Sequence, residues 1–532
     1  MVRNVAVVLG QPTPVINLCD PVLPASVDTT YTLPTGGTTW TPTDAASFQT
    51  ALNGAALGDV IQLNAGTVYQ GPFTLPVKST GSGWIYITTS AINSLPAAGT
   101  RVGPANVGVM PTLRMLNSSV STIETAGAVH HYRFVGMHAD VPASMTDTFG
   151  RAPLIFGGDA TSSANQPHDI IFDRCYLQGR DGIGPSNGLS MTRPLQLGGA
   201  RMAFVDGYVS EIHALGADSQ AILIYNGSGP YKIHNSHLEA AGENVMIGGA
   251  NPSDSSLLPS DITFTRNYFF KPLSWIGLGW SVKNLLELKM GVRVLIEGNV
   301  LTNCWAQGQA GYACVFWSAS ENAGAPYTET RDVWMRKNRI TNVASAWQLT
   351  NHSSTGIVVD MTKVRIEQNV AEKIVDVGGQ SALLGGAIKL FQITGVNCLQ
   401  LVHNTVGAAS GPLHSQQVFA GAISDRYIGR NNIYGFSSNG VIGDADGTGA
   451  ACYTTYTTNN TIHREVFAGD AGGSHQADCF YAATEAAIGY VNEAAGDYHL
   501  SVASTYKGLA DDGTDPGADI DAVAAAVAGV TD

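Results

Sequence analysis

A short strand pattern that ends in asparagine recurs through most of the chain, and it limits the fold more than any other feature. Residues 262–267 and 294–299 each alternate apolar and polar side chains before a final Asn, and these two ends are 32 residues apart. Related segments recur between residues 131 and 432 at a mean spacing of about 33 residues. A strand with one apolar face cannot bury that face alone, so stacked copies are needed to enclose a continuous core.

The position that closes each segment supports the same interpretation. Asn fills it at Asn267, Asn299, Asn338, Asn369, Asn404 and Asn432. Asn tolerates the left-handed backbone that a sharp bend needs, and Asn side chains stacked on successive coils can share hydrogen bonds. Helical repeats of similar length need a period of 3.6 residues, and propeller blades have longer repeats, so neither fits this alternation. The sequence predicts coils stacked in parallel.

Composition limits the class of protein further. The 532 residues include 61 Gly and only 13% charged residues, which is typical of an all-β protein with many turns. A formal net charge of −14 disfavours a nucleic-acid partner. The chain contains no apolar run long enough for a membrane-spanning helix, and its first residues show no signal peptide.

The pattern divides the chain into four parts. Residues 1–43 form an N-terminal extension laid over the body, and residues 44–57 form a capping helix that begins at Asp44. Residues 58–445 form the coils. Residues 446–532 are rich in loops and end in a short helix, which we expect to cover the far end of the stack because an open coil presents unpaired edges.

The capping helix, the Gly-Asp-x-Ile-x-Leu-x-x-Gly-x-x-Tyr run of residues 58–69 and the Asn-closed strands resemble right-handed parallel β-helix proteins of the pectate-lyase superfamily. The resemblance covers about residues 44–445 and points to the bacterial secreted or phage-associated type. It implies an all-β, single-stranded right-handed parallel β-helix of about 10–12 coils, capped at both ends. It also implies an extracellular, virion or cell-surface protein that is a monomer or a homotrimer. Because this fold hosts lyases, hydrolases, tailspikes and adhesins, the resemblance alone implies no single activity.

Outward side chains on stacked strands supply the candidate site. Leu286 and Leu288 are expected to face the core, which turns Glu287 and Lys289 outward on one face. Equivalent residues on adjacent coils lie about 4.8 Å apart, so residues distant in sequence can share one groove. The residues expected to bind substrate in this groove are Glu243, Asn244, Trp280, Trp317 and Lys389.

The Glu-x-Lys pair at Glu287 and Lys289 is similar to a strand of polysaccharide lyases of the chondroitinase B and alginate lyase type. That resemblance implies an acidic group that helps to bind Ca²⁺ and a Lys that acts as base; the catalytic candidates are Lys289, Glu287 and Lys283. Uronate β-elimination requires a neutralised carboxylate, removal of the adjacent proton and protonation of the leaving oxygen. The leading prediction is a carbohydrate-active protein that cleaves an acidic polysaccharide in this way, with Ca²⁺ as its cofactor if it needs one.

Two other functions fit the same fold. A glycoside hydrolase would need two carboxyl groups about 5–9.5 Å apart, and its candidates are Asp169, Asp173, Asp181, Asp206 and Asp218. A non-catalytic fibre, tailspike or adhesin would bind surface glycans without cleaving them. A surface ion pair would also explain Glu287 and Lys289 without any chemistry, and packing would explain the tryptophans.

The seven cysteines show no CxxC motif and no metal-binding spacing with His. Cys175, Cys304, Cys314 and Cys398 occupy apolar positions of the repeat, which predicts buried thiols. Cys452 and Cys479 flank one C-terminal excursion and are candidates for a disulfide, although spacing alone cannot fix the pairing.

Overall fold

Three long parallel sheets form the body of the protein in the computed structural model. It describes residues 18–125, 127–180, 189–351, 360–379, 388–407, 414–445, 447–469 and 478–531. Sheet 1 contains Thr39–Trp40, Val60–Leu63, Ile85–Thr89, His130–Val135, His168–Asp173, Ala200–Val205, Tyr231–His234, Ser260–Thr265, Gly291–Glu297, Thr330–Arg336, Thr362–Glu367, Asn397–Val402, Ile428–Arg430 and Thr461–His463. Sheet 2 contains Val68–Gln70, Thr112–Arg114, His138–Asp140, Tyr176–Gln178, Tyr208–Ile212, His237–Ala240, Tyr268–Phe270, Val300–Cys304, Arg339–Val343, Val370–Ile374, Thr405–Val406, Ile433–Tyr434, Val466–Ala468 and Phe480–Ala482. Sheet 3 contains Ile123–Glu124, Leu154–Phe156, Leu195–Leu197, Gln220–Ile224, Glu243–Ile247, Leu286–Leu288, Tyr312–Trp317, Ser345–Thr350, Lys389–Thr394, Ser415–Phe419 and Val441–Gly443.

The chain visits sheets 1, 2 and 3 in turn and then returns to sheet 1 one coil further along. The register matches the repeat read from the sequence, since Ile262 pairs with Val294. The protein is a right-handed parallel β-helix, as predicted, and this handedness is the one that parallel crossovers favour. The coils extend beyond the predicted end at residue 445, because sheet 2 continues to Phe480–Ala482. Within the described residues, two of the sheets contain 14 strands, more than the predicted 10–12 coils.

A column of asparagines runs through the corner between sheets 1 and 2. Each side-chain amide donates to the Oδ1 of the next, as from Asn299 to Asn338 at 2.9 Å, and also to a backbone carbonyl. The column ends at Glu465, whose Oε1 accepts from the Asn432 amide at 2.8 Å. All of these side chains are fully buried, so every pairing avoids the cost of about 1–3 kcal/mol for an unsatisfied polar group.

The bend itself differs from the sequence expectation. The residue that adopts the left-handed backbone is the one before each Asn, as at Arg266 with φ 56°, Lys337 with φ 54° and Gln368 with φ 56°. The Asn that follows turns its side chain into the coil. Asn therefore occupies this position for its side-chain hydrogen bonds, and the strained turn falls on its neighbour.

The first helix packs against the beginning of the core. It spans Ala45–Gly54, and the Asp44 side chain accepts from the Ser47 backbone while Ser47 binds back to Asp44, a capping box. Phe48 and Leu52 are buried in the main core, where Phe48 packs edge-on against Phe73 at 4.7 Å.

Residues 18–34 of the N-terminal extension form a segment that we name the strap. It crosses the outer face of sheet 1 from the strand Asn397–Val402 to the strand Ile85–Thr89. The strap contacts include Cys19–Cys398 (a disulfide), Val22 to Asp332, Ala25 to Asp261, Arg133 to the carbonyls of Thr29 and Thr30, and Thr32 to Tyr86. The first 17 residues of the extension lie outside the described residues.

The C-terminal tail differs from the expected end cap. The other two helices span Ala450–Tyr456 and Ile520–Val527. The last of them packs against the side of the stack, where Arg266 donates to the carbonyl of Ala526 at 2.8 Å. A small antiparallel pair, Tyr490–Asn492 with Asp497–Leu500, lies on the same tail, and a short parallel pair joins Ser424–Asp425 to Thr457–Thr458.

The cysteine predictions are partly wrong. Cys398 is bonded to Cys19, and Cys452 and Cys479 are buried and form no disulfide with each other. Cys175, Cys304 and Cys314 are buried free thiols as predicted. Among the described helices, none has the length and apolar character needed to cross a bilayer.

Candidate functional site

The outer face of sheet 3 carries a buried polar row where its strands begin. Gln220 pairs with Glu243 in the ladder between two adjacent coils. Asn284 lies on the coil after Glu243, where its N–H donates to the Gly242 carbonyl. Glu287 pairs with Met246, lies three residues beyond Asn284, and is close enough to Glu243 for the Glu243 charge to raise its pKa. The coil repeat thus brings together polar residues that are up to 67 positions apart.

Two carboxylates form the base of this row. Glu243 is 0% exposed and Glu287 is 1% exposed. Glu243 Oε2 accepts from the Gln220 amide at 2.8 Å, and Glu243 Oε1 is 3.5 Å from the Lys283 ammonium. Glu287 Oε2 accepts from the Asn284 amide at 2.8 Å. Burying two acids side by side is costly unless cations or a shared proton offset the charge.

The charges of this group perturb one another. Burial, followed by the negative charge of Glu243, raises the pKa of Glu287 well above its usual range, against the opposing charges of Lys289 and Lys283. Burial acts to lower the pKa of Lys283, but Glu243 and Asp218 outweigh it, and the net pKa is raised. Lys283 also contacts Asp218 at 2.5 Å. Lys283 therefore stays protonated at neutral pH and supplies a fixed positive charge.

Three acceptor oxygens of the row lack a hydrogen-bond donor among the described residues. They are Gln220 Oε1, Glu243 Oε1 and Asn284 Oδ1, one on each of three consecutive coils. Carboxylate and amide oxygens are the ligands that Ca²⁺ prefers. The residues present therefore fit a Ca²⁺ ion held by this row, with Glu287 beside it.

Lys289 and Trp317 lie next to this group on the same face. Leu288 pairs with Phe316, so the residues that follow them, Lys289 and Trp317, are neighbours on adjacent coils. Lys289 keeps 23% of its side chain exposed, and its ammonium is 3.5 Å from Glu321. Trp317 is half-buried. Together they offer an accessible amine beside an aromatic ring.

Lys389 lies further along sheet 3, three strands beyond Leu286–Leu288. That separation is roughly 14 Å at the usual interstrand spacing, so Lys389 belongs to the same face and lies well away from the two acids. Burial lowers its pKa, and its side chain is half-buried.

The prediction that Asn244 faces outward is wrong. Its amide donates to the carbonyls of Leu238 and Phe270 at 2.6 and 2.7 Å, and its Oδ1 accepts from Lys271, all inside the coil. Both Asn244 and Val245 face inward at the corner where sheet 3 begins, so strict alternation fails there.

The prediction that Trp280 contacts substrate is not supported by its position. Trp280 is 1% exposed and stacks on His213 at 3.9 Å, within a small cluster that also contains Trp275 and Trp305. This cluster holds the long connection between sheets 2 and 3 against the coils. The ring is therefore a packing residue that supports the neighbouring Lys283.

The carboxylates proposed for a hydrolase are mostly paired elsewhere. Asp169 bonds Arg201 and Asp173 bonds Arg133 and Arg174 on sheet 1, while Asp206 accepts from Asn235. Asp181 lies outside the described residues. Only Asp218 reaches the polar row, through Lys283.

Sequence reasoning missed Gln220, Asn284 and Arg193. Burial lowers the pKa of Arg193, which lies close enough to Glu243 and Asp218 to be influenced by their charges. Gln220 and Asn284 could have been found by counting one coil back and one coil forward from Glu243. Arg193 has no such signal, because it lies in an irregular connection.

The three all-parallel sheets and the asparagine column make this chain a right-handed parallel β-helix protein. No model of a known protein family matches it, and no curated protein sequence does. Among solved structures it is similar to the PL6 family alginate lyase AlyGC, with 10% identity and a TM-score of 0.44 over 84% of this chain and 50% of that one. It is also similar to a mannuronic-acid-specific family 6 lyase from human gut microbiota, with 11% identity and a TM-score of 0.36 over 84% of this chain and 82% of that one.

A third similar structure is the family 28 exopolygalacturonase of Yersinia enterocolitica, with 12% identity and a TM-score of 0.33 over 82% of this chain and 75% of that one. The chain spans only 50% and 58% of the length of the two AlyGC structures that it matches. At these identities the likeness concerns the backbone arrangement, and the activity has to be argued from the polar row itself.

Proposed function

We propose that this protein binds a uronate-containing polysaccharide on the outer face of sheet 3 and cleaves it by β-elimination. The observation that carries the proposal is the buried pair Glu243 and Glu287, which holds protonated Lys283 and leaves acceptor oxygens unpaired beside it. Glu243 and Asp218 hold the Lys283 ammonium at one point of a chain whose formal net charge is −14. A substrate carboxylate needs such a point.

Each nearby side chain has a role that its position supports. Lys283 offers a fixed positive charge for the uronate carboxylate, because Glu243 and Asp218 keep it protonated. Glu243, Gln220 and Asn284 would hold Ca²⁺, which when bound would add positive charge for the same carboxylate.

Lys289 is the accessible amine closest to this charge and would take the proton next to the carboxylate. Trp317 on the adjacent coil offers a flat apolar face for a sugar ring. Lys389, further along the sheet, would contact a more distant uronate of the same chain.

A glycoside hydrolase is the second candidate, and one observation favours it. The raised pKa of Glu287 keeps that group protonated at neutral pH beside a second carboxyl group, which is the state required of a general acid. The near-complete burial of both acids weighs against it, because a general acid must reach the glycosidic oxygen.

We also propose that the protein works outside the reducing cytosol, at a cell or virion surface or in the medium, as a monomer or homotrimer. The Cys19–Cys398 disulfide supports this location, because such bonds persist in oxidising compartments.

Incubation of the purified protein with a panel of uronate polymers tests the function. A lyase produces unsaturated ends that absorb in the ultraviolet, and chelation should remove most of that activity if Ca²⁺ is held by the row. Reducing ends without this absorbance would replace the lyase by the hydrolase. Tight glycan binding without either product would indicate the fibre, tailspike or adhesin and would end both enzymatic proposals.

A further inference from the structure

The outer face of sheet 1 carries a second charged arrangement, far from the polar row of sheet 3. Residues near the start of several strands adopt the left-handed backbone and turn charged side chains outward, among them Asp169, Arg201, Asp261 and Arg293. Asp261 and Arg293 form a two-pronged ion pair at 2.7 and 2.6 Å between adjacent coils. Asp169 and Arg201 form the same pair at 2.8 and 2.6 Å.

Histidines lie beside the Asp169–Arg201 ion pair and distinguish it from the Asp261–Arg293 ion pair. The rings of His130 and His168 stack at 4.9 Å, and His130 Nδ1 is 2.9 Å from His131 Nδ1. His168 Nδ1 is 2.6 Å from Asp169 Oδ2, and His131 Nδ1 is 3.9 Å from the same oxygen. One ligand atom each from His131, His168 and Asp169 lies within 4.8 Å of the other two.

We propose that His131, His168 and Asp169 form a binding site for a divalent transition-metal ion such as Zn²⁺. Two imidazoles and one carboxylate are a common three-ligand set for Zn²⁺, and they leave a fourth position for water or a ligand. An ion-pair ladder alone does not account for the cluster, since Asp261 and Arg293 form the same bonds without any histidine. The site is distinct from the Ca²⁺-type row of sheet 3, whose donors are all oxygens.

Arg201 is the group that most opposes a cation here. Its Nη2 is 3.1 Å from His168 Nδ1 and bonds Asp169 Oδ2, while its Nε bonds Asp169 Oδ1. Half of the Arg201 side chain is exposed, so it can release Oδ2 and keep its bond to Oδ1. A ligating carboxylate usually retains an outer hydrogen-bond donor of this kind, which fixes its orientation.

The surroundings suit an accessible site. Asp169 and Arg201 also line a cavity of about 720 Å³ between the strap and sheet 1, together with Trp84 and Arg133. Trp84 packs against the His131 ring at 5.2 Å and restricts it. An ion at His131, His168 and Asp169 would therefore sit at the edge of a space that can admit water or a small anionic ligand.

Titration of the chelator-treated full chain with Zn²⁺, and separately with Co²⁺, tests the site. Calorimetry should show one ion bound per chain, and Co²⁺ should give the visible absorption bands of a nitrogen- and oxygen-ligated centre. His131→Ala and His168→Ala should each weaken this binding by about tenfold or more, because each removes a direct ligand. His499→Ala, which removes an exposed His beside Asp497, should bind as the unchanged protein does.

Asp169→Asn provides a second variant of equal size, with folding checked by circular dichroism, in case an alanine variant does not fold. X-ray absorption of the Zn²⁺-loaded protein needs no variant and should show imidazole ligands. Any one of three results would overturn the proposal. The first is the absence of stoichiometric Zn²⁺ binding, and the second is a Zn²⁺ coordination shell of oxygen atoms only. The third is an unchanged Zn²⁺ affinity in the folded Asp169→Asn and His168→Ala proteins.

Discussion

Two buried polar columns run along this β-helix, and they differ in how completely their hydrogen bonds are satisfied. Inside the coils, each Asn of the column bonds its neighbour and a backbone carbonyl, as Asn338 does with Asn369 and Ile296. On the outside of sheet 3, Gln220, Glu243 and Asn284 also stack from coil to coil, but each keeps an oxygen without a donor among the described residues.

This difference indicates that the asparagine column stabilises the fold, whereas the polar row of sheet 3 is available for function. The asparagines of the column leave no side-chain bonding capacity unused, so this closed column can only hold coils together. The polar row of sheet 3 is open, because some of its oxygens have no donor among the described residues. These unpaired oxygens lower the stability of the protein, and a cation or substrate that completed their bonds would raise it. Natural proteins tend to accept such local costs at functional sites.

The largest effect is expected on the free energy of unfolding, when an asparagine of the closed column is replaced. Asn338→Ala leaves the Asn299 side-chain and backbone donors and the Ile296 carbonyl without their partner, which should lower the free energy of unfolding by about 3–5 kcal/mol. Chemical denaturation measures this, and Asn53→Ala on the exposed face of the first helix should change stability by less than about 0.5 kcal/mol. A small loss in Asn338→Ala would remove the distinction between the two columns.

A change in the open row should affect activity more than stability. Glu243→Gln keeps the shape but removes the charge that holds Lys283, so kcat/KM on the cleaved polymer should fall by about a hundredfold, or ~2.7 kcal/mol of transition-state stabilisation. The free energy of unfolding should change little, because Lys283 keeps its ion pair with Asp218. A variant that is destabilised and fully active would show that the row is structural.

The acid that ends the closed column gives a pH test. Burial raises the pKa of Glu465 to about 8, so the folded protein binds a proton there that the unfolded chain releases above its ordinary pKa of 4.5. Stability from this group is therefore greatest at low pH and is lost as pH rises from about 4.5 through 8. Glu287 acts in the same direction. In Glu465→Gln the melting temperature should fall less steeply between pH 5 and 8 than in the unchanged protein. An unchanged slope would contradict the role given to Glu465.

The smallest effect on activity is expected for Trp317, at the edge of the open row. Trp317→Ala removes a sugar-stacking face and should raise KM by about tenfold or less, since such contacts contribute roughly 0.5–1.5 kcal/mol. Stability should fall less than for a fully buried tryptophan, because part of the Trp317 side chain is exposed. Trp280→Ala is the matched contrast, since removing that buried ring should destabilise the protein by about 3–5 kcal/mol. Equal effects of the two changes on KM would contradict the assignment of Trp317.

The alternation and the Asn spacing predicted the β-helix, because both follow from a period of two and from one coil length. The same coil length is what brings Glu243 and Lys289 close enough to Glu287 for their charges to act on it. The prediction failed for Asn244, where two consecutive residues face inward at a corner, and for Trp280, which lies in an irregular connection. It also failed for Cys398, because its partner Cys19 lies on the strap, which has no period that relates it to the strands it crosses.

The strap imposes an order on assembly. Each coil needs only its neighbours, so coils can stack as they leave the ribosome. Residue 19 is made early, yet the thiol it bonds is synthesised 379 residues later. The bond can form only when the winding has reached Cys398, and a chain interrupted before that point would keep a free thiol at Cys19 as a chemical record of unfinished assembly.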